Sequence, residues 1–243
     1  MKLNSRNLKL IIGVIYLLIL FTGLFFLFSL VDLKDLTSYG FIKSQKNIIS
    51  EYKNNNFLLF SIIFFIFCIV WVLFLGFASP LLIFGGFVFG QWWGFSLVLI
   101  GSTIGATLLY FLAGLFFKDV IEEKLIKKFS KFKEYFLKND LLYFMCFRFV
   151  GGGGTPYAIQ NVLPVIFNMP LKNYAAATFL GSFPSMFVTV AIGVGIEKVI
   201  DKNSELSMFK VLSSPEIYIP LICFFAILVL AYIIKRIFLK NAF

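Results

Sequence analysis

The chain has 243 residues, 60% of them hydrophobic, and carries 22 Lys and Arg against 12 Asp and Glu for a net charge of +10. Soluble domains average about 45–50% apolar residues, so this composition excludes an ordinary soluble domain. There is no histidine, and Cys68, Cys146 and Cys223 lie far apart inside apolar runs, which removes His-based catalysis and leaves no metal-ligand spacing.

The first apolar run, 10–31, follows Lys2, Arg6 and Lys9. It is longer than the ~7–15-residue core of a signal peptide and lacks a small-x-small end, so it reads as a retained span. A polar segment, 32–56, lies at or just outside the membrane interface. No side chain from Asn54 to Phe117 is charged. A spanning helix needs only about 20 residues, so this run holds more than one pass. Residues 57–77 form one span. Ser79-Pro80 interrupts it, because proline removes a helix hydrogen bond and disfavours helix at the residue before it. The piece 81–90, with Gly85, Gly86 and Gly90, is too short to cross as a helix and reads as re-entrant. Residues 91–117 form the next full span. Its Gly94, Gly101, Gly105 and Ala106 recur at spacings that let helix backbones approach closely in lipid.

Residues 118–140 combine seven lysines with Ile121, Leu125, Phe129, Phe132 and Phe136 at helical spacing. This predicts an amphipathic helix in the membrane interface, the alternative being a solvated helix packed on the bundle. A second broken stretch, 151–164, follows, then spans at 171–196 and 217–234, the last closed by Lys235, Arg236 and Lys240. The fold class is an all-α integral membrane protein of about five spanning helices with two re-entrant segments. A broken piece followed by a span occurs twice, at 79–117 and 151–196, which suggests a repeat that could be inverted. The expected domains are 1–56, a membrane domain at 57–200, and 201–243. Positive charge favours the cytoplasmic side for both the N-terminus and 118–140. Three full spans between them place them on opposite sides, a conflict the sequence leaves standing.

Arg148 stands out as the only ionisable charge between Asp140 and Lys172. A charge at membrane depth is costly and marks a site by default, and the planar guanidinium fork suits a phosphate. The alternative is an arginine that snorkels to the headgroups. Four glycines follow, Gly151, Gly152, Gly153 and Gly154, and then Thr155-Pro156. Open N–H groups or a helix starting there, with Thr155 as N-cap, would make an anion-binding concavity. This is not a phosphate-binding loop of the Gly-Lys-Ser/Thr kind, and a plain helix breaker is the competing reading. Asn161 and Gln160 are amides in apolar surroundings, suited to bridging the two broken segments or touching a headgroup. No carboxylate lies within a span, which weighs against a proton-coupled pump.

These residues resemble the VTT-domain superfamily, also called the SNARE-associated Golgi protein family, which includes the bacterial DedA proteins. The first block is Gly85-Gly86-Phe-x-Phe-Gly90-x-x-x-Gly94, then Gly101-x-x-x-Gly105-Ala106. The second is Arg148, Pro156-Tyr157-x-x-x-Asn161, Lys172-x-Tyr174 and Thr178-x-x-Gly181-x-x-Pro184. The membrane carboxylates of the DedA branch have no counterpart. The resemblance implies re-entrant loops that face each other and the movement of lipids: phospholipid scrambling, or translocation of polyprenyl-phosphate carriers. The expected substrate site is Arg148, Gly151–Gly154, Thr155, Pro156, Asn161, Gly85, Gly86 and Gly90, with membrane lipids as partners. Nucleic acid, a metal, a cofactor and enzymatic chemistry are not expected, and a homo-oligomer is left open. The rival functions are a solute or ion transporter of the same architecture and a non-transporting membrane scaffold. Short termini without eukaryotic targeting signals favour a bacterial inner membrane.

Overall fold

Nineteen residues with no charge among them, Phe57–Leu75, form helix α1. One stripe at helical spacing, Ser61, Phe64, Cys68 and Val72, is buried, while Leu58, Ile62, Ile63 and Ile66 on the other side are exposed. A helix this apolar on its exposed face is built for lipid. Gly76 ends it in the left-handed conformation (φ 70°), and its N–H closes on the Val72 carbonyl. Thus Gly76, rather than Ser79-Pro80, stops α1. Pro80 sits in the first turn of the following helix, where its missing N–H costs nothing.

The computed structural model describes residues 47–53, 55–116, 139–149, 155–202 and 213–238, together with Thr22, Lys118, Glu123 and Phe136. Residues 52–243 form one unit and 1–51 another. All elements with described bounds are helical: α1, α2 (Ser79–Phe116), α3 (Asp140–Phe149), α4 (Tyr157–Val162) with a 3-10 turn Leu163–Phe167, α5 (Leu171–Lys202) and α6 (Pro215–Phe238). Among these, α1, α2 and α5 are long and apolar enough to cross a membrane. The expected span 10–31, the run Gly151–Gly154 and most of 118–138 lie outside the described residues. Phe136, from the apolar stripe of that last segment, is buried against Phe144 and Phe167. That position therefore packs on the bundle.

α2 is not straight. Gly90 breaks it with φ 78° and ψ −177°, and the arms 79–89 and 91–116 fold back on each other. The proof is Gly94: a Cβ there would collide with the Gly85 carbonyl, nine residues earlier, which a straight helix would hold about 13 Å away. The first arm descends along α1 until Phe89 meets Phe57 and Phe60 (ring centroids 6.2 and 5.4 Å). At that end Lys53 Nζ donates to the Val88 carbonyl (2.9 Å), a cation at a helix C-terminus. The second arm then climbs parallel to α1. Trp93 lies beside Phe57 and Ser61, Gly101 beside Cys68, Gly105 beside Ile69, and Leu109 beside Gly76. From Phe57 to Phe116 the chain therefore makes one net traverse of the bundle. The expected short piece 81–90 lies in arm 79–89 and its Gly90 turn, which carry the chain back to its starting level.

Replacing Gly90 isolates a single term. No atom lies within 4 Å of a Cβ built there, so only the positive φ opposes a side chain. Gly90→Ala and Gly90→Asn are both expected to lower thermal stability by about 1–3 kcal/mol, measured by melting of the purified protein, because φ 78° with ψ −177° is open essentially to glycine alone. Equal stability of all three would show that the turn does not need this backbone conformation.

The second half repeats the pattern upside down. α3 enters, the chain breaks, α4 and the 3-10 turn return, Asn168 turns in the left-handed region (φ 50°), and long α5 follows. Tyr110, late in α2, stacks on Tyr174, early in α5 (4.4 Å), whereas Trp92, early in α2, meets Phe187, late in α5 (5.3 Å). The two long arms are therefore antiparallel, and the second unit is inverted relative to the first. Backbone-close contacts lock the halves together: a Cβ at Gly86 would strike the Val190 carbonyl, and one at Gly193 the Ile83 carbonyl.

Candidate functional site

The two broken segments meet. Asn161 Nδ2 donates to the Gly76 carbonyl (3.2 Å), joining α4 to the residue that ends α1. A Cβ on Gly76 would lie 3.0 Å from that of Ala158. Into this junction projects Arg148. α3 begins with Asn139 Oδ1 accepting the Leu142 N–H (3.0 Å) and ends one residue past Arg148, so the cation sits at the helix's negative end. Gly181 on α5 lets α3 close in, since a Cβ there would lie 2.7 Å from that of Arg148.

Arg148 is 3% exposed. Its Nη2 alone serves three acceptors: Asn161 Oδ1 (2.6 Å), Tyr174 Oη (3.0 Å) and Thr178 Oγ1 (3.4 Å). The guanidinium carbon lies 4.7 Å from the Tyr157 ring centroid and 5.0 Å from that of Phe144, cation–π distances that spread the charge onto aromatic faces. Its Nε and Nη1 are buried without a partner among the described residues, as is the Tyr157 hydroxyl. None of its contacts among these residues is a carboxylate. A buried cation left half-coordinated is costly, because desolvation of one ion runs to several kcal/mol.

Beside it is a cavity of about 220 Å³, lined by Ala78 just before α2, Ser79 and Leu82 from its start, Arg148, Phe149, Tyr157 and Gln160 from the second hairpin, Ser182, Ser185, Met186 and Thr189 from α5, and Ile227 from α6. One water needs only ~10–15 Å³ of such volume, so the cavity holds a hydrated tetrahedral oxyanion easily. The 79–89 arm begins at this cavity, its N-terminal amides adding positive potential to that of Arg148.

Not every residue singled out in the sequence lies here. Gly85 and Gly86 make helix–helix contacts, and Gly90 forms the turn at the far end of its arm. Gly151–Gly154 lie outside the described residues. Pro156, rather than Thr155, is the N-cap of α4, and the Thr155 carbonyl accepts from Gln160 Nε2 (2.8 Å). Gln91 donates to the Phe187 carbonyl (2.9 Å), at the level of the Gly90 turn. Sequence reasoning missed Tyr157, Tyr174, Thr178, Ser182, Ser185 and Thr189 as site residues. A signal existed: from Tyr174 to Thr189 the polar residues recur three or four apart, one face of an otherwise apolar helix.

Residues 76–195 match the VTT domain family. The chain is a VTT-domain protein. The match starts at the glycine that ends α1, and every cavity residue except Ile227 falls within it. Two curated relatives are each called transmembrane protein 41 homolog. The Dictyostelium discoideum protein is 23% identical over 181 residues, covering 71% of this chain and 52% of the relative. The Caenorhabditis elegans protein is 28% identical over 166 residues, covering 65% of each. The chain thus spans between half and two thirds of their length. No solved structure matches it. The VTT domain and the apolar helices make this an integral membrane protein. Both relatives are eukaryotic and lend no support to a bacterial inner membrane.

Proposed function

We propose that the VTT domain moves phosphate-bearing lipid headgroups across the membrane, with Arg148 as the phosphate station. The observation that carries this reading is the buried Arg148, whose Nε and Nη1 have no partner among the described residues, beside a cavity at the junction of the two hairpins. A phosphate oxygen pair satisfies Nε and Nη1 with charge-assisted hydrogen bonds and neutralises the ion where water is scarce. The breaks act as re-entrant tips that approach each other from opposite faces, and broken backbone at membrane depth is tolerated where it packs in protein or lines a cavity. Broken elements paired across an inverted repeat are a familiar setting for transport.

The test is reconstitution of the full chain into liposomes carrying fluorescent phospholipids of several headgroups, with uptake of labelled inorganic phosphate measured in parallel. Rapid exposure of inner-leaflet lipid without phosphate uptake is the expected result. Phosphate uptake without lipid movement would make this a solute transporter built on the same site. Neither activity would leave the scaffold reading.

A further inference from the structure

Buried polar side-chain atoms in folded proteins almost always have a hydrogen-bond partner. Among the described residues four lack one, and three of the four belong to two residues in contact: Arg148 Nε, Arg148 Nη1 and Tyr157 Oη. The fourth, Trp71 Nε1, lies on α1 and does not border the cavity beside Arg148. All three atoms of the pair can donate, a phenol hydroxyl included. The spacing of Tyr157 and Asn161, four residues apart, puts both on one face of α4, and both meet Arg148 there. Three rings lie against the guanidinium, those of Phe144, Tyr157 and Tyr174, with centroids 5.0, 4.7 and 5.8 Å from its carbon. Phe144 and Tyr174 are fully buried, and neither lines the cavity. The Tyr174 hydroxyl is already engaged, accepting from Arg148 Nη2 (3.0 Å). Tyr157 is half-buried and does line the cavity. Among the described residues it alone touches the guanidinium, borders the cavity and keeps a buried hydroxyl without a partner.

We infer that Tyr157 is the third ligand of the phosphate: its hydroxyl donates to an oxygen of the same phosphate group that Arg148 holds through Nε and Nη1. This rests on the proposed function and deepens it by adding a residue that touches the substrate. Two guanidinium hydrogens and one phenol hydrogen make a set that suits an anion and offers nothing extra to a cation. The three atoms are shielded from solvent in this structure. A phosphate arriving from the cavity therefore reaches them by displacing the half-buried Tyr157 ring, since the other two rings against the guanidinium are locked in the core.

Tyr157→Phe in the full chain tests this, because it keeps the ring on the guanidinium and removes only the hydroxyl. No hydrogen bond among the described residues is lost, so the variant is expected to melt at or above the wild-type temperature. Movement is measured in phosphatidylcholine liposomes carrying a trace of fluorescent phosphatidylcholine or fluorescent phosphatidylethanolamine. Both lipids are expected to slow about tenfold or more, the loss of one hydrogen bond to a charged group at ~1.4 kcal/mol per factor of ten. The fall must be common to both, since the phosphate is the part of the headgroup they share. Wild-type rates for both lipids overturn the inference. A fall with the ethanolamine lipid alone also overturns it, because the hydroxyl would then be accepting from the ammonium. A lowered melting temperature would show the hydroxyl serving the fold, with the same consequence. Arg148→Met, measured beside it, reports on the station itself. Lost movement in Arg148→Met with wild-type rates in Tyr157→Phe leaves the station standing without this ligand. Normal movement in Arg148→Met means that the station reading has failed. If the wild type takes up labelled inorganic phosphate instead of moving lipid, the same fall in uptake is expected of Tyr157→Phe, and its absence overturns the inference.

Discussion

Arg148→Met is expected to give a folded protein at least as stable as wild type in which the proposed lipid movement is lost. Methionine fills a similar volume without charge, so the variant removes a desolvated cation that has no carboxylate among its described contacts. Replacing buried charge by an apolar side chain is often neutral or stabilising. Of the acceptors it abandons, Asn161 Oδ1 keeps the Tyr174 hydroxyl as a donor 3.5 Å away, and Asn161 Nδ2 still donates to the Gly76 carbonyl. The functional loss is large because two charge-assisted hydrogen bonds to phosphate disappear. At about 1.5–3 kcal/mol each, that is a rate reduction of about 100-fold or more. Arg148→Lys retains charge but loses the fork and the shared bonds from Nη2, so it should fall between the two. Lipid flux and melting temperature, measured on the same preparations, separate these outcomes. A stable Arg148→Met protein with normal flux would falsify the phosphate station. A protein that fails to assemble would instead assign Arg148 a structural role.

The largest stability loss belongs to Gly193. A Cβ there would collide with the Ile83 carbonyl oxygen and crowd the Phe87 N–H, so two backbones must part. Neither neighbour is a flexible side-chain tip. Gly193→Ala is expected to cost about 1–3 kcal/mol and Gly193→Val more, with Gly86→Ala comparable at the other side of the same crossing. Gly114 supplies the contrast. The nearest atom to its Cβ is Val165 Cγ2 at 4.0 Å, and it lies in a helix interior. Gly114→Ala should be neutral or stabilise by up to about 1 kcal/mol. Thermal melting in detergent checks all four. Equal melting of Gly193→Ala and Gly114→Ala would show that the α2–α5 crossing is not the tight contact described here.

Those two glycines also show the limits of reading the chain alone. Both sit in apolar helices, and nothing local distinguishes the one under a foreign carbonyl from the one beside open space. That difference depends on which helices cross, which is a long-range property. Arg148 was legible because charge at membrane depth is costly wherever the chain goes, so a lone arginine in an apolar run must have a reason. Asn161 was legible for the same cause. Tyr174 and Thr178 were not assigned to the site, because a tyrosine or threonine in a membrane helix is tolerated without a partner of its own kind.

What the sequence determined by itself was the solvent and the units. Sixty per cent hydrophobic residues and an uncharged run from Asn54 to Phe117 require a membrane, since desolvation and hydropathy are additive and local. Glycine and proline marked the breaks, since their backbone limits are intrinsic. Only the tertiary structure decided the path between those breaks. Gly90 could have been a kink in a straight span, and its backbone reversal turns two apparent crossings into one net traverse. The inversion of the second half, the meeting of Gly76 with Asn161, and the contact of α6 with α5 all follow from packing between residues far apart in the chain. Such contacts are set by which surfaces fit, and no local residue preference encodes them.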